Sequence, residues 1–175
     1  AFTPIQQAPA IATIANDGVA FRPHLVKTIR DARTDAVRDV VPEPSYTVPI
    51  KPEHLAFVKN ALVGVNKEGT SASAFLKTPY VSAGKTGTAQ VFSLKGEKYS
   101  TKIDERLRDH AWFIAYAPAD KPRIAVAVLV ENGGFGAQAA APIARQVFDY
   151  YLTGKVTTAP APTAPAPAAA DDESD

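Results

Sequence analysis

The segment that most restricts the fold is Arg123–Val130, "RIAVAVLV". On an extended chain Ile124, Val126, Val128 and Val130 fall on one side, and Ala125, Ala127 and Leu129 on the other. A strand apolar on both faces must be buried on both, so the sequence calls for covering structure above and below a sheet. Two more extended segments precede it. Tyr80 to Phe92 is one, and His110 to Ala117 is the other, with Pro118 as a stop and "APADKP" as a tight turn into the third. A charged connection, Lys95 to Asp109, joins the first two.

Helices are expected on either side of this meander. Thr3-Pro4-Ile5-Gln6 is a helix start, with Thr3 as N-cap, Pro4 at the first helical position and Gln6 closing a capping box. Ile5, Ala8, Ile11, Ala12 and Ala15 continue it, Gly18 ends it, and Pro9 inside it should kink or weaken it. Arg22 to Ile29 reads as extended, and Asp31 to Pro49 as loop with short strand pieces. Pro52-Glu53 opens a second helix with an apolar stripe of Leu55, Val58, Leu62 and Val65. Ala72 to Leu76 reads as a short helix after the turn "NKEGTSAS". A last helix is expected from about Gln138 to Leu152, with ridges Ile143/Val147/Tyr151 and Ala144/Phe148/Leu152. The ordered part is placed at residues 1–155. From Val156 onward, in 156–175, Pro/Ala repeats and an acidic end cannot bury enough apolar area to order themselves.

Composition excludes several classes. At 175 residues and 46% hydrophobic, the chain suits one ordinary domain, and a net charge of +1 leaves no footprint for nucleic acid. Without cysteine there is no disulfide scaffold, thiol chemistry or cysteine zinc site. His24, His54 and His110 stand in unlike contexts without ligand spacing, so no metal and no cofactor is expected. The chain also has no methionine and opens at Ala1, which raises the expectation of a part of a longer product.

Residues 81–92, "VSAGKTGTAQVF", admit three chemical readings. A phosphate-binding loop ending at Gly84-Lys85-Thr86 needs glycine at 79, where Pro79 stands, and "TAQVF" has strand rather than helix character. A Ser82-x-x-Lys85 nucleophile pair needs a helix to bring both side chains to one face, whereas a strand separates them. The third reading is a Lys-Thr-Gly wall of a serine enzyme's cleft, with a substrate peptide lying along the strand edge. Gly87 would let that backbone approach, and Thr86 and Thr88 hydroxyls would bind a terminal carboxylate. Lys85 would supply positive charge and tune the nucleophile's proton, and the Thr88 N–H would give half of an oxyanion hole. Residue types alone leave this open against an ordinary solvent-facing strand.

The longer context resembles one family. "GKTGTAQVF", "ERLRDHAWFIAYAP" and "IAVAVLVENGG", in that order, together with the opening "TPIQQAPAIATIANDGVAFRPHLV", resemble the penicillin-binding transpeptidases. Within them the resemblance is strongest to the class B branch of cell elongation, the penicillin-binding protein 2 group, across roughly residues 2–153. That family has three motifs, S-x-x-K with the acylated serine, S-x-N and K-[ST]-G. Only the third is present in this sequence, so the expectation is the C-terminal part of the transpeptidase domain.

The resemblance implies an α+β fold of the β-lactamase/transpeptidase type. In it an antiparallel sheet lies between helices, and this chain supplies strands three to five, packed by its N-terminal and C-terminal helices. It assigns Lys85 as catalytic and Thr86, Gly87 and Thr88 as substrate-binding. It implies a D,D-transpeptidase that cross-links peptidoglycan stem peptides and is acylated by β-lactam antibiotics. It further implies work beside a membrane glycosyltransferase, with an upstream inner-membrane anchor and this part in the periplasm. A D,D-carboxypeptidase, a serine β-lactamase-like hydrolase and a non-catalytic penicillin-binding sensor share the motif and stay open.

Overall fold

The strand with two apolar faces ends an antiparallel meander. In the computed structural model, which describes residues 2–91 and 104–156, the meander consists of β5 (Ala83–Ala89), β6 (His110–Ala117) and β7 (Ile124–Val130), in that spatial order. Gly87 pairs with Trp112 and Trp112 with Leu129, which fixes the register across all three strands. The expected tail, in 157–175, and residues 95–103 of the charged connection lie outside the described residues.

Each face of the meander has its own cover. On one side α1 (Pro4–Ala15) and α2 (Pro52–Lys67) lie against the sheet, and Ile11 and Ala15 pack on Ala83 and Tyr116 in a buried cluster. On the other side α3 (Gly136–Thr153) sets Ala140, Ala144 and Phe148 against Ala111, Phe113 and Ala115. A 3₁₀ turn, Ala72–Phe75, completes that layer, its Phe75 ring stacked 5.7 Å from Phe113. Burying a Phe side chain stabilises by roughly 1.5–3 kcal/mol, so Phe75, Phe113 and Phe148 are a principal anchor of this layer. β7 is half-buried throughout because both of its faces are covered while its outer edge has no partner strand among the described residues.

The α1 start forms as expected, with the Gln6 carboxamide oxygen taking the Thr3 backbone N–H at 2.9 Å. The helix nevertheless runs unbroken through Pro9, whose carbonyl accepts the Thr13 hydroxyl at 2.8 Å. The extended reading of Arg22 to Ile29 holds only at its end. β1 (Val19–Phe21) pairs with β4 (Pro44–Thr47), and β2 (Thr28–Arg30) pairs with β3 (Val37–Asp39). Between β1 and β2 the chain is irregular, with Pro23 unable to donate to any ladder. The β2–β3 turn is fixed by Asp31, whose carboxylate accepts the Arg33 and Thr34 N–H groups at 2.8 Å each. Those bonds to the charged form hold its pKa below the ordinary value.

Two apolar stripes are narrower than the spacing implies. In α2 only Leu55 of the expected set is buried, and Val58 is exposed. In α3 the Ala144/Phe148 ridge meets the sheet, while Ile143, Val147 and Tyr151 face outward. α3 is instead locked by charge. Arg145 donates to Asp149 at 2.8 Å and to the carbonyls of Ala74 and Leu76 at 2.9 and 3.0 Å, and Tyr80 donates to Asp149 at 2.6 Å. The pair is buried on both sides, which such charges tolerate only when their hydrogen bonds are made.

Candidate functional site

β5 is an edge strand among the described residues, paired only with β6. Every second residue of such a strand directs its N–H and C=O away from the sheet, where a ligand backbone can take them. The alternation sets Lys85 and Gly87 on the α1 face, above the row Ile114, Trp112 and His110. Thr86 and Thr88 take the opposite face, so the four motif residues do not point one way. All four still border one cavity of about 610 Å³ along this edge, closed by Trp112, Leu129 and by Phe2 and Gln7 at the start of α1.

Glycine at 87 has a spatial cause. A Cβ there would lie 3.1 Å from the Trp112 Cβ, tight enough to push the neighbouring strand. Lys85 is exposed, and its ammonium donates to the Thr86 carbonyl at 2.7 Å. The Thr86 hydroxyl meets the Thr70 hydroxyl at 3.0 Å.

Ser82 belongs to a different environment. It is 4% exposed and its hydroxyl accepts the Asn66 amide at 2.9 Å, while Asn66 Oδ1 accepts from the buried Ser71 hydroxyl at 2.7 Å. The S-x-x-K spelling is thus a polar joint under the strand, with Lys85 on the other face, as the strand period requires.

His110 borders the cavity, which nothing in its sequence context marked. Its Nδ1 accepts the backbone N–H of Asn132 at 2.9 Å, so in the neutral ring the proton sits on Nε2. Asn132 has φ +54° and donates its side-chain amide to the carbonyls of Arg106 and Arg108, bracing the end of the β5–β6 connection. The exposed His24 has its Nδ1 2.8 Å from the Val26 carbonyl, between β1 and β2. No three His, Asp or Glu among the described residues gather as a metal site.

The model of the penicillin binding protein transpeptidase domain matches residues 1–149, which is most of this chain. The chain belongs to the penicillin-binding transpeptidase family. Transpeptidase relatives include the peptidoglycan D,D-transpeptidase MrdA of Haemophilus influenzae, 43% identical over 88% of this chain and 24% of that protein. The MrdA of Escherichia coli is 39% identical over 97% of this chain and 27% of that protein. Among solved structures, Pseudomonas aeruginosa PBP2 in complex with WCK 5153 superposes with a TM-score of 0.69 at 38% identity, covering 89% of this chain and 32% of that one. Penicillin-binding protein A from M. tuberculosis, as its ceftriaxone acyl-enzyme complex, gives a TM-score of 0.70 at 34% identity, over 86% of this chain and 32% of that one. The transpeptidase chain described here spans about a quarter of the length of the curated relatives it matches. The expected α+β fold with its antiparallel sheet between helices is the transpeptidase fold of these neighbours.

Proposed function

We propose that this chain forms the Lys-Thr-Gly wall of a serine D,D-transpeptidase. The observation that carries the reading is the edge of β5, unpaired among the described residues, which offers Lys85, Thr86, Gly87 and Thr88 along one cavity. In the complete protein, a serine outside this chain attacks the penultimate D-Ala carbonyl of a stem peptide. The C–N bond breaks, D-Ala leaves with the proton, and an amine of a second stem releases the serine by forming the cross-link. β-Lactams acylate the same serine through their ring amide.

Each wall residue has a task in that chemistry. The Lys85 ammonium attracts the terminal carboxylate and favours loss of the serine proton. Its present contact, the Thr86 carbonyl, is a neutral acceptor, and a carboxylate in its place would add the attraction of opposite charges to the hydrogen bond. Thr86 and Thr88 offer hydroxyls from the opposite side of the edge, and the Thr88 N–H stabilises the oxyanion. Gly87 keeps the strand flat enough for a peptide to lie along it.

The names of the relatives, peptidoglycan D,D-transpeptidase, support an amine acceptor rather than water. The same reading has the complete protein work in cell elongation beside a membrane glycosyltransferase. Such an enzyme is held in the inner membrane and acts in the periplasm. No helix of the described residues is long and apolar enough to cross a membrane.

The experiment is turnover of donor and acceptor stem peptides by the complete protein, with Gly87→Val as control. Cross-linked dimers, lost in Gly87→Val, are expected. Trimmed monomers alone would make it a carboxypeptidase, and acylation without any turnover a sensor.

A further inference from the structure

We propose that Thr70 is a positioning residue that aims the Thr86 hydroxyl at the substrate's terminal carboxylate, a proposal that rests on the functional reading above. The Oγ1 atoms of Thr70 and Thr86 are 3.0 Å apart, and either hydroxyl can be the donor. A hydroxyl has one proton and two lone pairs, whereas a carboxylate only accepts. Once a carboxylate lies against Thr86, the Thr86 proton must go to it. The bond between the two threonines then has one direction left, from Thr70 to Thr86. Thr70 therefore holds the Thr86 hydroxyl by a lone pair, restricts its rotation and polarises the outward O–H.

The placement of Thr70 is built rather than incidental. The Gly69 N–H bonds the Gly64 carbonyl at 2.9 Å, and the Ser71 N–H bonds the Val65 carbonyl at 3.2 Å, so Thr70 is fastened on both sides. The Ser71 side chain is fully buried, its hydroxyl 3.0 Å from the Val65 carbonyl and 2.7 Å from Asn66 Oδ1. Asn66 in turn bonds Ser82. The end of α2 and the turn after it are thus tied to β5 and the residue just before it at two points, 66 to 82 and 70 to 86, each step four residues long. The first tie is buried and holds the strand in place. The second is exposed, adds nothing to a core, and ends on a motif side chain.

The test is the acylation rate of the complete transpeptidase by benzylpenicillin and by its methyl ester, in which the carboxylate is masked. One hydrogen bond of this kind corresponds to about three- to tenfold in rate. Thr70→Val is expected to slow acylation by the free acid by about that factor and to leave the ester unchanged, with Thr70→Ser restoring the acid rate. Equal slowing of both compounds, or no slowing of either, would overturn the proposal, and Thr70→Ala gives the same comparison should the valine variant fold poorly. A wild-type protein that benzylpenicillin does not acylate, or that shows no preference for the free acid, would instead overturn the functional reading.

Discussion

A Cβ on Gly136, the first residue of α3, would lie 2.5 Å from the carbonyl oxygen of Gly87 and 2.2 Å from that of Trp112. The helix therefore abuts the backbone of the motif strand from the side opposite the cavity, and the contact is possible only without a side chain. The atoms in the way are main chain, so they cannot swing aside as a side-chain tip would.

Gly136→Ala is accordingly expected to drive α3 and β5 apart. Overpacking of this kind costs typically 1–3 kcal/mol. We expect both a lower denaturation midpoint and slower β-lactam acylation of the complete protein, because the displaced backbone is the one that carries Lys85 to Thr88. Unchanged acylation with reduced stability would mean that the helix yields and the strand does not.

Ser82 and Lys85 should separate two kinds of loss. Lys85→Ala removes the cation of the wall and is expected to slow acylation by roughly 10² to 10⁴. Ser82→Ala should leave acylation largely intact yet lower stability, since the buried Asn66 amide loses its acceptor at roughly 1–3 kcal/mol. Fluorescent penicillin labelling and urea denaturation of both variants distinguish the cases, and equal loss of labelling would contradict the assignment of Ser82 to the joint beneath the strand.

The Arg145–Asp149 pair predicts a large effect far from the cavity. Asp149→Ala leaves a buried guanidinium uncompensated and strands the Tyr80 hydroxyl, which is expected to cost about 3–5 kcal/mol. The midpoint of chemical denaturation reads this directly, and a loss below about 1 kcal/mol would place the pair among ordinary surface contacts.

Tyr80 gives the alkaline behaviour its sign. Burial, reinforced by its bond to the Asp149 carboxylate, raises its pKa well above the ordinary 10.0. The unfolded chain releases this proton near the ordinary value while the folded chain keeps it. The stabilisation is therefore complete below that pH and declines as pH rises towards the folded value. Stability measured across this range should fall more steeply in the wild type than in Tyr80→Phe, and identical slopes would show that Tyr80 titrates normally.

The parts of this structure that were legible in the sequence are those governed by a local period. Alternation in Arg123–Val130 called for two covering layers, and the same period set Ser82 and Lys85 on opposite faces. What was not legible came from proximity that no period encodes. Both ridges of α3 are apolar by residue type, so nothing in the spacing says that Ala144 and Phe148, rather than Val147 and Tyr151, meet the sheet. Gly136, Thr70 and His110 reach the cavity strand or its rim from separate segments, and none carries a motif. A glycine that follows "ENGGF" looks like one more turn residue until the strand it touches is known.

The consecutive order of β5, β6 and β7 has a consequence for how the polypeptide acquires its shape. Each strand finds its partner next to it along the chain, and α3 follows at once, so few long loops must close before Phe113 and Phe148 meet. α1 is different, because its contact with β7 joins opposite ends of the folded segment and closes a loop through most of its length. The meander with α3 is thus the natural early nucleus, and docking of α1 the late step. Substitutions at Phe113 or Phe148 should slow folding, whereas substitutions at Ile11 should chiefly hasten unfolding.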